Sequence, residues 1–396
     1  LHTEGYAHTH PVMEKALGAL DDARWRVDVD DASYVQASVS PVWDTVLSLL
    51  AVQDCDADEE LGAEVERAVD WVLSKQVRAG GDWQVKVKDV EPGGWAFEYE
   101  NLKYPDVDDT AVALIILSKY RARPEWREKG IEDAIERGVR WMLAMQCKGG
   151  GWAAFDKDND KTLLTKIPFC DFGEALDPPS VDVTAHVIEA LGLLGYDRTH
   201  PAVARGLAYL RNEQEADGSW FGRWGVNYIY GAGAVLPALK AVGEDMRSEY
   251  VLKAADWIKA QQTEEGAWGE SCSSYMDATM KARGIATASQ TGWALMGLLA
   301  VGRGEDRDAV ARGVRWLNET QKDDTWDEPT YTGTGFPGYG VGATIKLDDP
   351  KLAERLSQGP ELSRAFMINY NMYRHYFPLM ALGRARRYLA QRPNLV

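Results

Sequence analysis

An all-α fold, an α/α barrel (toroid) of repeated helix pairs with glutamine–tryptophan turns, is predicted by three features of the sequence. One short pattern recurs along the chain, apolar helices alternate with amphipathic ones, and a tryptophan closes the turn between them. The pattern is a small residue, two others, an aromatic, then glutamine five positions on: "AVDWVLSKQ" (68–76), "GVRWMLAMQ" (138–146), "GLAYLRNEQ" (206–214), "AADWIKAQQ" (254–262) and "GVRWLNETQ" (313–321). After each glutamine come a turn and a tryptophan, at Trp83, Trp152, Trp220, Trp268 and Trp326. A second helix then follows, apolar nearly all round, as a helix enclosed by other helices must be.

The elements follow in order. Residues 1–39 precede the repeats, and "SPVWDTVLSLLAV" (40–52) supplies an inner helix without a glutamine turn of its own. The inner helices of the repeats are "DDTAVALIILSKY", "VDVTAHVIEALGLLG", "VNYIYGAGAVLPALKAVG", "ASQTGWALMGLLAVG" and "NMYRHYFPLMALG". The first helix of each pair is charged along one side, as with Glu132, Glu136 and Arg140 at four-residue steps. Uniformly apolar inner helices favour a closed ring over an open helical solenoid. In the turns, glutamine can bond backbone groups freed at helix ends while tryptophan packs over glycine, a structural role. The barrel is expected to occupy 40–396, with a surface excursion at 339–365 and a last turn, "QKDDTW", that lacks glycine.

A net charge of −17, with no basic cluster on any helix face, argues against nucleic acid as a partner. Cys55, Cys147, Cys170 and Cys272 are widely spaced, which reads as a reduced, cytoplasm-facing protein without a disulfide framework or structural zinc. No apolar run reaches the roughly 18 residues of a membrane span. The chain opens on Leu1 rather than methionine and reads as a fragment or processed product.

The chemistry lies where inner helices begin. "YPDVDDTA" sets Asp106, Asp108 and Asp109 around the start of a helix expected near Thr110. One aspartate is an ordinary N-cap, but three in four positions are more than capping requires. Like charges at such spacing disfavour ionisation and can leave one carboxylic acid protonated near neutral pH. One repeat on, Asp182 and His186 stand four apart on one face of the equivalent helix. His186, held by Asp182, is expected to bond one oxygen of an aspartic acid and sharpen the proton on the other. Trp43, Trp95, Phe97, Tyr99, Trp224, Tyr228, Tyr230, Phe336, Phe366, Tyr370 and Tyr373 fall beside the same helix ends. Core packing explains part of that set. A pocket walled by π-faces and poor in nucleophiles also suits carbocations, each ring contributing ~0.5–2 kcal/mol. A Brønsted acid at one end of such a pocket describes a polyene cyclase.

"DVDDTA", the glutamine–tryptophan repeats, "DPPSVDVTAH", "GRWGVNYIYG" and "YTGTGFPG…MYRHYFP" together resemble the bacterial squalene–hopene cyclases, nearly from end to end. The resemblance implies protonation-initiated cyclisation of squalene to hopene or hopanol with no cofactor and no metal. By position, Asp108 resembles the proton donor, Asp106 and Asp109 flank it, and Asp182 with His186 tunes it. Trp43, Phe97, Trp224, Phe336, Phe366, Tyr370 and Tyr373 resemble the residues that line the cavity and stabilise cations, and Tyr230, grouped with them, resembles a residue near the acid. Phe169 and Cys170 resemble a constriction on the path by which squalene enters. The family is monotopic, which implies the cytoplasmic face of the membrane as location. Its members have two barrels, and the match covers the C-terminal one, so residues 1–39 read as the link to the other. Phe155 stands where some relatives carry tyrosine. Whether two copies pair as a homodimer is left open.

Three rivals have distinct requirements. A class II diterpene cyclase shares the Asp-x-Asp-Asp acid but needs a basic pocket and magnesium for a diphosphate. A protein prenyltransferase β subunit needs zinc ligands, for which no set here has suitable spacing. A non-catalytic helical scaffold accounts for the repeats and leaves the buried acids unexplained.

Overall fold

Apolar residues on every face make the inner helices, and an apolar stripe makes the outer ones. The computed structural model describes residues 1–22, 26–29, 32–35, 38–99, 101–161, 176–275, 277–336, 366–368 and 370–390. Helix α1 spans Pro11–Leu20, and β1 (Arg26–Val29) pairs antiparallel with β2 (Ala32–Val35), Arg26 opposite Val35. The helices that follow are α2 (Pro41–Asp54), α3 (Gly62–Ser74), α4 (Val107–Tyr120), the short α5 (Pro124–Glu128) and α6 (Ile131–Ala144). Next come α7 (Val181–Leu193), α8 (Pro201–Glu213), α9 (Tyr228–Ala241) and α10 (Glu249–Ala260). The last are α11 (Ala288–Val301), α12 (Arg307–Thr320) and α13 (Tyr373–Ala390). Strands β3 (Gly333–Phe336) and β4 (Phe366–Ile368) pair antiparallel between α12 and α13. The expected excursion at 339–365 lies outside the described residues.

Helices α2, α4, α7, α9, α11 and α13 pack each on the next, and α13 returns to α2. The ring is therefore closed, which decides for a barrel and against a solenoid. Every residue of α11 from Ala288 to Ala300 is buried, whereas α12 buries Ala309, Val310, Gly313 and Leu317 along one stripe. Helices α3, α6, α8, α10 and α12 stand outside the ring.

The turns interlock successive pairs. Gln146 Nε2 donates to Gly150 O in its own turn (2.7 Å) and to Ala202 O in the next outer helix (2.9 Å). Gln214 and Gln262 repeat this arrangement with Gly218 and Tyr250, and with Gly266 and Ala309. Trp152, Trp220 and Trp268 donate Nε1 back to the outer helix just left, at Met142, Leu210 and Ile258, each at 2.7 Å. The small residue of the pattern is now explained. A Cβ on Gly206 would meet the Trp152 ring at 3.0 Å, and one on Gly313 would meet Trp268 at 2.8 Å. Burying an indole removes on the order of 200 Å² from water, roughly 5 kcal/mol, against ~1 kcal/mol for a glutamine hydrogen bond. The ring anchors the turn and the amide sets its register.

Two expectations need correction. Helix α4 begins at Val107, not near Thr110, because Asp106 itself is the N-cap. In the first repeat Trp95, not Trp83, holds the turn: its Nε1 donates to Val72 O (2.7 Å), and Gln76 donates to Gly93 O (2.8 Å). Residues 78–92, with a 3₁₀ turn at Asp82–Val85, are inserted between glutamine and tryptophan. Trp83 is instead packed edge-on against Trp141, ring centroids 5.9 Å apart.

Candidate active site

The inner helices bring their N-terminal turns to one end of the barrel. Pro105 precedes Asp106, whose extended backbone (φ −97°, ψ 131°) lets its carboxylate fold over the helix start. Asp106 Oδ1 accepts the N–H groups of Asp108 (2.6 Å) and Asp109 (3.4 Å). These bonds favour its charged form, but burial and the nearby charge of Asp108 outweigh them and hold its pKa well above the usual carboxylate range. Asp109 is pushed up in the same way, first by burial and then by Asp106, Asp108 and Asp44. Its Oδ1 is buried without a hydrogen-bond partner among the described residues.

Asp108 Oδ1 lies 2.6 Å from His186 Nδ1 on α7. Burial pulls the imidazole pKa down, but the charge and hydrogen bond of Asp108 more than reverse this and raise it to about 9. Beside an ionised Asp108, His186 is thus an imidazolium at neutral pH and donates Nδ1–H to Asp108, and the acid form of the pair adds a second proton on the other carboxyl oxygen. A carboxyl bonded to a cation through one oxygen, between two carboxyls that resist ionisation, is placed for proton transfer.

An aromatic belt closes this end of the ring. Trp43 of α2 donates Nε1 to the Tyr373 hydroxyl of α13 (3.1 Å), and its ring is 6.3 Å from that of His186. His186 meets Tyr230 of α9 edge-on at 6.2 Å, and Tyr230 lies 4.6 Å from Trp293 of α11. Trp293 meets Tyr373 at 6.0 Å and completes the circuit. With Asp108 from α4, each of the six inner helices contributes one side chain to the acid and its belt. On the outer side of the belt is a cavity of about 310 Å³ lined by Trp43, Phe97, Asp106, Asp108, Asp109, Phe155, Trp224, Tyr370 and Tyr373. Among the described residues of that lining none is lysine or arginine.

The structure gathers Asp106, Asp108, Asp109 and His186, and around them Trp43, Phe97, Trp224, Tyr370 and Tyr373. It places Asp182 differently from expectation and locates Tyr230 and Phe155. Asp182 does not hold His186: its Oδ2 accepts the N–H groups of Arg223 (3.0 Å) and Trp224 (2.7 Å), so it fixes the loop that carries Trp224. Tyr230 lies near the acid, 6.2 Å from the ring of His186, and reaches it from the belt rather than from the cavity wall. Phe155, singled out only as a departure, joins the wall edge-on to Trp224 at 6.1 Å. Phe336 and Phe366 face each other in the β3–β4 register, but their side chains, like Phe169 and Cys170 as a whole, lie outside the described residues. Sequence reasoning missed Trp293 and also Asp44. Asp44 accepts from Ser40 Oγ (2.7 Å) and the Tyr376 hydroxyl (3.2 Å), and burial raises its pKa. Among the described residues no helix is long and apolar enough to cross a membrane.

A family model, that of the squalene–hopene cyclase C-terminal domain, matches residues 39–341. The chain belongs to this family. It is 46% identical over 387 residues to the squalene–hopene cyclase of Alicyclobacillus acidocaldarius, covering 97% of this chain and 56% of that protein. It is 44% identical over 361 residues to the squalene–hopene cyclase of Bradyrhizobium diazoefficiens, covering 90% and 50%. A dammaradiene synthase of Dryopteris crassirhizoma is 38% identical over 407 residues, covering 97% and 55%. The chain thus spans about half the length of the curated relatives it matches. Among solved structures, the type II terpene cyclase MstE from Scytonema superposes with a TM-score of 0.62 at 17% identity, covering 95% of this chain and 98% of that one. An unsaturated glucuronyl hydrolase specific for heparin superposes with a TM-score of 0.50 at 15% identity, covering 93% and 91%. Those two likenesses concern the fold alone, and two differently named enzymes on one toroid leave function to be argued from the site itself.

Proposed function

We propose that the protein containing this chain is a triterpene cyclase that protonates a terminal alkene of squalene and guides its polycyclisation to hopene or hopanol. The observation that carries the reading is the Asp108–His186 pair opening onto an aromatic cavity. Asp108, with one oxygen committed to the imidazolium, gives the proton on its other oxygen to the alkene. The alkene π pair forms the new C–H bond and leaves a tertiary cation. Trp43, Phe97, Trp224, Tyr370 and Tyr373 present π-faces to the successive cations and exclude water that would trap them early. Loss of a proton from the last cation gives hopene, and addition of water gives hopanol. No side chain of this chain is assigned to that final step. An apolar substrate dissolved in the bilayer favours a monotopic protein at the membrane surface, and the family resemblance is what suggests the cytoplasmic face.

Incubation of the complete protein with squalene in buffer containing EDTA is the test. Pentacyclic products identified by mass spectrometry are expected. No conversion of squalene, with turnover of a prenyl diphosphate that EDTA abolishes, would replace this reading with that of a diterpene cyclase.

A further inference from the structure

Behind the belt, a cavity of about 50 Å³ continues down the barrel axis, with His186, Tyr230 and Trp293 at its front and Glu189 and Arg384 in its lining. Glu189, Pro237, Met296 and Arg384 also line an opening of about 370 Å³ at the C-terminal ends of the inner helices. A space of this size admits water at polar groups. Glu189 is a titratable group in the lumen to which the proton transfer assigns no task. It follows His186 by three residues on α7, so both side chains face one side of the helix. Since Nδ1 is committed to Asp108, the rest of the imidazolium is presented to this lumen.

The groups around His186 come from every inner helix. From α4, Asp108 bonds it with Asp106 and Asp109 alongside, and Lys119 lies further back near Glu189. From α7, Asp182 is one turn earlier with Oδ2 committed to backbone N–H groups. Helix α9 contributes the Tyr230 hydroxyl, α13 contributes Arg384, and the α2 and α11 neighbours, Trp43 and Trp293, are uncharged. Of the charges that raise the basicity of His186, Glu189 ranks after Asp108 and ahead of Asp182. Behind the acid the signs alternate down the axis: His186, Glu189, Arg384, Asp54.

We propose, resting on the cyclase reading for its functional meaning, that Glu189 is a positioning residue for the acid: from the rear lumen it steadies the His186 imidazolium aimed at Asp108 and extends the pH range over which that cation persists. Asp108 gives up its proton at each turnover, and a neutral imidazole beside it would weaken the acid. Glu189 acts on that charge from the side of the belt away from the aromatic cavity, and Arg384 shares the lumen with it.

Nitrogen-15 NMR of histidine-labelled chain reads the His186 titration directly. The midpoint is expected near 9 in the unaltered chain. In Glu189→Gln it is expected to fall by roughly half a unit to one unit, and in Glu189→Asp to return toward the original. In the complete protein, the basic limb of the kcat/KM profile, set by the coupled Asp108–His186 pair, moves in the same direction with KM unchanged. A merely structural role would change thermal stability or KM and leave the limb in place. An unmoved His186 midpoint in Glu189→Gln overturns the proposal whether or not squalene is cyclised. A shifted midpoint in a protein that leaves squalene untouched upholds the electrostatic role of Glu189 and overturns the cyclase reading instead.

Discussion

The barrel buries aspartates at both ends and treats them in opposite ways. At the rear, Asp54 is 3% exposed, yet its pKa is lowered: burial would raise it, but Arg384 and Lys119 outweigh burial and Arg387 adds a further bond. Arg384 Nε donates to Asp54 Oδ2 at 2.7 Å, and Lys119 lies 3.9 Å from Oδ1. Because Asp54 ends α2 and the arginines belong to α13, this cluster clasps the first inner helix to the last. At the front, Asp109 is 1% exposed, faces other carboxyls, and has a pKa raised well above the ordinary range. One end compensates its buried charge and gains a joint. The other leaves carboxyls uncompensated, a cost to stability that makes sense only where a proton is needed.

The largest effect expected from breaking this contrast is on activity at the front. Asp108→Asn removes the transferable proton and keeps the shape, so turnover should fall by about 10²–10⁴-fold or more, with helical content and Tm nearly unchanged. Wild-type cyclisation in that variant would remove Asp108 from the chemistry. Next comes stability at the rear. Asp54→Ala strands Arg384 and Arg387 without their partner, and breaking a buried ion pair from one side costs about 3–5 kcal/mol. Denaturant unfolding should record that loss, while the molecules that remain folded keep their turnover. A mild effect there would mean that the two arginines find solvent and that ring closure depends on packing alone.

The front was more legible than the rear, for physical reasons. Three aspartates within four residues sit in one helix turn, so their crowding is visible without a structure. The pairing of His186 was half legible: its periodicity with Asp182 is local, but loop N–H groups about forty residues away claim Asp182 Oδ2. Trp293 was missed although a signal existed. It is the sixth residue of α11 as His186 is of α7, and aligning the repeats from their helix starts would have found it. Trp83 misled because the inserted residues 78–92 place a second tryptophan at nearly the usual spacing, and only the hydrogen bond to Val72 O distinguishes Trp95. The Asp54 clasp joins positions 330 residues apart, and no local pattern announces such a pair.

The smallest expected effect is also the most specific to the contrast. A carboxyl whose pKa is raised by folding stabilises the folded state in acid, below the unfolded value of 3.8, and loses that contribution as pH rises toward its folded value. Asp109 should therefore burden the protein at neutral pH. Asp109→Asn, close in shape and never ionised, should stabilise it there by on the order of 1 kcal/mol, with the gain shrinking to nothing below about pH 4. Asp54→Asn should behave with the opposite sign. Its lowered pKa contributes stability above 3.8 that is lost as pH falls through the folded value, so the variant should be weaker than wild type at neutral pH and draw level in strong acid. Chemical denaturation of both variants between pH 3 and 8 gives two curves that diverge from the wild type in opposite directions as pH rises. If the Asp109→Asn curve runs parallel to wild type, folding leaves the pKa of Asp109 unshifted and the contrast between the two ends fails at the front.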